Sequence, residues 1–121
     1  MLDHVEIKVR DAAASRVFYD AALSALGMTA LVSGRGFLGY GDARPFFWIG
    51  QSGVSPEITM HVAFGCARRA DVDAFYDAAI AAGGRNNGRP GLRAQYDPNY
   101  YGAFVLDPDG HNIEAVCRAP A

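Results

Sequence analysis

The sequence predicts an α+β fold: two tandem βαβββ units whose curved sheets surround a groove, with helices on the outer face. The units span about 1–50 and 59–118 of a single domain covering 1–121. Three observations predict it. Shifted by 57 positions, "HVEIKVRDAAASRVFYDAALSALG" (4–27) lies over "HVAFGCARRADVDAFYDAAIAAGG" (61–84) with 10 of 24 positions identical and no gap. Each copy opens with strict apolar/polar alternation and continues at helical spacing. The remainder of each copy breaks into short strand-like runs between Gly, Pro and Asp clusters. A repeat of this kind is one supersecondary unit used twice.

The first element is a strand. Val5, Ile7 and Val9 alternate with His4, Glu6 and Lys8, a period of two. Its counterpart sets Val62, Phe64 and Cys66 opposite His61, Ala63 and Gly65. A helix follows in each copy. Phe18, Ala22 and Ala25 recur at helical spacing, as do Val72, Phe75, Ala79 and Ala82. Asp11 suits an N-cap, and Gly27 and Gly83-Gly84 suit C-terminal stops. Three strands are then expected in each unit: "MTALVS", "GFLGY" and "PFFWIG" in the first, "LRAQY", "YYGAFVL" and "HNIEAV" in the second. "GGRNNGRPG" (83–91) reads as a loop or irregular edge, and "QSGVSPEI" (51–58) as the linker between units.

The apolar face of each first strand must pack on a helix. The opposite face, bearing His4 and His61, therefore lines the groove. Aligning the last hairpins by their turns lays "GDARPFFWIG" (41–50) over "DPDGHNIEAV" (107–116), so Trp48 corresponds to Glu114. His4, His61 and Glu114 are metal-ligand types in repeat-related slots. Two His and one carboxylate suit a divalent ion of Fe, Mn, Zn, Ni or Co and leave positions open for water and substrate. Singly, each His reads as structural or exposed, and Glu114 as a partner for an arginine.

Other classes are excluded or disfavoured. Net charge is −2, and the ten Arg and one Lys are scattered, which argues against nucleic acid. No apolar run reaches the roughly 20 residues of a membrane span. The opening "MLDHVEIKV" lacks the apolar stretch of a signal peptide, so a cytoplasmic protein is expected. Cys66 and Cys117 read as small buried hydrophobes in a reducing compartment. "GRGFLG" (34–39) fits GxGxxG formally, but a strand pattern follows it where a dinucleotide site needs a helix.

"DHVEIKV", "MHVAF" and above all "YYGAFVLDPDGHNIEAV" resemble the vicinal-oxygen-chelate superfamily, which includes glyoxalase I, bleomycin resistance proteins and extradiol dioxygenases. The resemblance covers essentially the whole chain and implies paired βαβββ units. It also implies metal ligands on the first strand of each unit and the last strand of the second: His4, His61 and Glu114. Glyoxalase I has a further carboxylate where this sequence has Trp48. The resemblance implies a homodimer, with sheets of two chains completing each groove, and a small-molecule substrate.

Around the ligand set, Trp48 and Phe46 are expected to wall the groove, or else to pack in the core. Tyr100 and Tyr101 point to opposite faces; Tyr101 is favoured for the groove as general acid beside Glu114, with Tyr100 a substrate contact. Arg93 is the candidate for an anionic substrate group, with Arg85 and Arg89 nearby, and solvated charge is the simpler reading of all three. His111 is expected to be exposed. The functional expectation is a metal-dependent enzyme of lyase, dioxygenase or transferase type acting on a small oxygenated substrate. The alternative is a metal-free protein that binds a small molecule or drug.

Overall fold

A computed structural model describes residues 1–121. The order is β1 (Val5–Val9), α1 (Ala12–Ser24), β2 (Thr29–Gly34), β3 (Phe37–Gly41), β4 (Pro45–Gln51), then β5 (His61–Gly65), α2 (Arg69–Ala81), β6 (Arg85–Leu92), β7 (Tyr101–Leu106) and β8 (Asn112–Cys117). Each half is βαβββ, and the two helices are offset by the same 57 residues as the sequence repeat. The sheets run β1-β4-β3-β2 and β5-β8-β7-β6, so each first strand pairs in parallel with the last strand of its own unit.

Local chemistry starts and stops the helices. Asp11 Oδ1 accepts the N–H groups of Ala13 and Ala14 at 3.0 and 3.4 Å. Such a cap contributes about 1 kcal/mol. Arg68 holds the equivalent position in the second copy and provides no side-chain cap. Gly27 and Gly83 adopt φ +79° and +98°, the left-handed conformation in which glycine ends a helix without strain.

One apolar core joins the halves. Ile7, Val9, Phe18, Tyr19, Phe47 and Ile49 pack with Phe64, Phe75, Val105, Ile113 and Ala115 in a single buried cluster. Phe47 meets Phe64 edge-on at 5.1 Å between ring centres. A Cβ on Gly84 would lie 2.6 Å from the Phe18 ring, so the second unit receives the first helix only with glycine there. Burying each large apolar side chain stabilises the fold by roughly 1.5–3 kcal/mol.

Two expectations about this region are corrected. "LRAQY" is not a strand: β6 lies earlier, on Arg85–Leu92, and 93–99 is a turn. β6 is an edge strand broken in register between Asn86 and Gly88 and between Gly88 and Gly91. An edge tolerates Pro90, because no neighbour needs its missing N–H. His111 is not exposed but fully buried. Its Nδ1 accepts the Met60 N–H at 2.9 Å, and its Nε2 donates to the Lys8 carbonyl at 2.8 Å. It ties the linker and the first strand to the final hairpin.

Candidate functional site

Alternation on β8 sends Ile113, Ala115 and Cys117 into the core and leaves Asn112, Glu114 and Val116 on the other face. Glu114 stands opposite Ala63 of β5 and Phe104 of β7. Its carboxylate is buried, at 1 % exposure, yet both oxygens are engaged. His61 Nε2 lies 2.8 Å from Oε1, and the Tyr100 hydroxyl donates to Oε2. A Cβ on Gly102 would come within 3.2 Å of Glu114 Oε2 and 3.1 Å of the Tyr100 ring, so glycine leaves room for both.

Burial, and then the bond to Glu114, push the Tyr100 hydroxyl up to about 12. It therefore stays protonated and donates at neutral pH. The Tyr96 ring meets Tyr100 edge-on, and the Arg118 guanidinium lies 4.8 Å above the Tyr100 ring centre. Phe104 lies 6.0 Å from the His61 ring, and the Arg93 guanidinium stacks on Phe104 at 5.4 Å. Asn112, the register partner of His61, has a buried Oδ1 without a hydrogen-bond partner. The second sheet thus presents a half-open His61 beside an anchored carboxylate and an unmet acceptor.

His4 is elsewhere in the chain. It lines an open cleft of about 260 Å³ on the first sheet with Glu6, Phe37, Trp48 and Ile49. Its Nδ1 contacts Asp3 at 2.8 Å, and its side chain is 59 % exposed. Within one chain no three His, Cys, Asp or Glu side chains converge as metal ligands. His4, His61 and Glu114 are therefore divided between two sheets. The repeat register holds across that division: Trp48 opposes Glu6 as Glu114 opposes Ala63, and Glu6 and Ala63 are 57 residues apart.

Residues 1–115 match the Glyoxalase/Bleomycin resistance protein/Dioxygenase superfamily. The chain belongs to that superfamily. A glyoxalase/bleomycin resistance protein from Albidiferax ferrireducens T118 is 31% identical to this superfamily member, with TM-score 0.83 over 96% of this chain and 98% of that one. A family enzyme from Burkholderia phytofirmans PsJN is 20% identical, with TM-score 0.76 over 98% of each chain. A fosfomycin resistance protein from Listeria monocytogenes, complexed with Mn(II) and 1S,2S-dihydroxypropylphosphonic acid, is 19% identical, with TM-score 0.71 over 96% of this chain and 88% of that one. No match is found among curated proteins. The superfamily's paired βαβββ units are those of the two sheets described above.

Several expected site positions move in this glyoxalase-superfamily chain. Tyr101 faces the helix side, where its hydroxyl donates to Asp73 of α2 at 2.7 Å and the Arg69 guanidinium covers its ring at 5.2 Å. Tyr100, at the start of the same strand, faces Glu114 instead. Tyr101 is in phase with Ala103 and Val105, which are core residues, and Tyr100 is in phase with Gly102 and Phe104 on the Glu114 face. Trp48 lies beside His4, whereas Phe46 lines a different cavity of about 300 Å³ with Met28, Asp42, Ala63 and Phe64. Ala63, which shares that cavity with Phe46, is the register partner of Glu114. Arg85 and Arg89 are exposed, and only Arg93 turns onto the second sheet. Sequence reasoning placed Asn112 with Glu114 on the groove face by alternation but missed Phe104 as a groove residue. The alternation of β7 carried that signal.

Proposed function

We propose that this chain is a metal-dependent enzyme acting on a small oxygenated substrate, with a site assembled in a homodimer. His61 and Glu114 of one chain and His4 of a second copy would hold the ion. One observation carries this reading: the ligand set lies on repeat-equivalent strands of two different sheets, and no three ligand-type side chains converge within one chain. Each chain offers one half-site of each kind, and a two-fold dimer closes such a set twice. Two imidazoles and a carboxylate suit a first-row divalent ion. The fosfomycin resistance protein, a fold neighbour, is complexed with Mn(II), which supports a divalent ion.

When bound, the ion would supply Lewis acidity to adjacent substrate oxygens. This chain's own residues prepare that site. Tyr100 fixes Glu114 through its second oxygen and leaves Oε1 toward His61. As a ligand, His61 would present a ring nitrogen that carries no proton. Trp48 of the second copy would wall the groove opposite Phe104. The reaction would be of lyase, dioxygenase or transferase type. Cys66 and Cys117 are free thiols, which suits a reducing cytoplasm. No helix is long and apolar enough to cross a membrane.

A metal-free binding protein is the second reading. Trp48, a large ring in the slot equivalent to Glu114, favours it. Elemental analysis of protein purified without chelator separates the two. The enzyme reading predicts stoichiometric metal that is lost in Glu114→Ala. The binding reading predicts ligand affinity that survives His4→Ala and His61→Ala together.

A further inference from the structure

Arg93 is the one arginine of the second sheet's open face whose setting is built around its guanidinium. Nη1 donates to the Gly91 carbonyl at 2.8 Å and Nη2 to the Arg89 carbonyl at 2.7 Å. The plane rests on the Phe104 ring at 5.4 Å. Two glycines make the space. A Cβ on Gly88 would sit 3.2 Å from Nη2 and 2.8 Å from the Phe104 ring, and one on Gly91 would sit 3.2 Å from Nη1. Gly88 also has φ +152°, and Asn86 Oδ1 accepts its N–H at 2.9 Å. The two register breaks of β6 thus fold the backbone around this cation.

Its charge is not neutralised by any carboxylate. Arg16, Arg44, Arg68 and Arg118 each form an ion pair with an aspartate, and Arg93 forms none. The two carbonyls restrain the fork without cancelling its charge, and three of its five N–H donors remain available. The same Phe104 ring neighbours both this cation, at 5.4 Å, and the His61 ring, at 6.0 Å. A fixed, unpaired guanidinium and the His61–Glu114 pair therefore share one aromatic neighbour.

We infer that Arg93 is a specificity-determining residue that binds an anionic oxygen group, carboxylate or phosphonate, on the substrate. The substrate would place its adjacent oxygens at His61 and Glu114 and its anion about one ring away. This rests on the proposed site but not on the metal, since the guanidinium acts with or without an ion. A positioned arginine prefers an anion over its neutral analogue by roughly tenfold or more.

The test uses catechol, 3,4-dihydroxybenzoate and 3,4-dihydroxyphenylphosphonate as probes, titrated calorimetrically with and without Mn(II). Wild type should bind at least one anionic probe roughly tenfold tighter than catechol. Arg93→Gln should remove that preference and leave catechol affinity unchanged, with Arg93→Lys intermediate because a point charge replaces the fork. The tighter anionic probe identifies the group. Equal binding of all three by wild type, no binding of any, or a preference that survives Arg93→Gln overturns the inference. A preference that is Arg93-dependent yet indifferent to Mn(II), with no metal taken up, sustains it and rejects the metal reading. A merely structural Arg93 would lower the thermal midpoint of Arg93→Gln and leave the preference intact, which also overturns it.

Discussion

Trp48 and Glu114 occupy the same register position in the two halves of the molecule, one opposite Glu6 and the other opposite Ala63. The duplicated framework therefore carries an apolar wall on one sheet and a ligand-type carboxylate on the other. That asymmetry gives the chain two unlike faces, and the account depends on the two faces meeting across a pair of chains.

Tyr100 positions Glu114, and Tyr101 does not. Tyr100→Phe leaves Glu114 Oε2 without its buried donor. Loss of such a partner behind a ligand lowers metal affinity roughly 10–100-fold. Tyr101→Phe, which removes only the bond to Asp73, should leave affinity unchanged. Competition titration against a chromophoric chelator reads both.

His111 clamps the halves together through the Met60 N–H and the Lys8 carbonyl. His111→Ala leaves two main-chain groups without partners and a cavity at a fully buried site. The expected loss is roughly 2–5 kcal/mol in unfolding free energy, read from urea denaturation. A change within experimental error would show that the two contacts contribute nothing.

Asp107 makes stability depend on acid pH. Burial raises its pKa above the ordinary 3.8, against opposing bonds from Tyr19 and the turn N–H groups. The Tyr19 hydroxyl donates to it at 2.6 Å. A folded value above the unfolded one means that the folded chain holds this proton more tightly. The contribution is full below the unfolded value and is lost as pH rises through the raised folded value. Asp107→Asn removes it, since the amide cannot ionise and can donate to Tyr19. The stability of wild type relative to Asp107→Asn should fall as pH rises from about 3 to 6, by denaturation at each pH. Tyr19→Phe should cost about 1–3 kcal/mol by leaving a buried oxygen unmet.

Much of this was legible in the sequence, for physical reasons. The 57-residue repeat located both helices, because helix phase is written in Phe18, Ala22, Phe75 and Ala79, which all face the core. The hairpin alignment paired Trp48 with Glu114, because turn chemistry sets register. What failed was local. The edge strand β6 hid behind Gly and Pro, because an edge pays little for a broken ladder. The faces of Tyr100 and Tyr101 were reversed, although the alternation puts Tyr101 in phase with core Ala103 and Val105 and Tyr100 in phase with Phe104. His111 looked exposed beside a turn glycine, yet it is buried through contacts 51 and 103 residues away. The split of His4 from His61 and Glu114 is tertiary, and strand periodicity does not encode which sheets face each other.

Metal stoichiometry in a complementation mixture tests whether the ligand set is shared between two chains. His4→Ala and Glu114→Ala proteins are each measured alone, then mixed in equal amounts, unfolded and refolded together. Neither variant alone should hold metal. In the mixture half of the dimers are mixed, and each has one intact site, so roughly one ion per four chains is expected. A mixture as empty as its components, alongside wild type that binds one ion per chain, would contradict it.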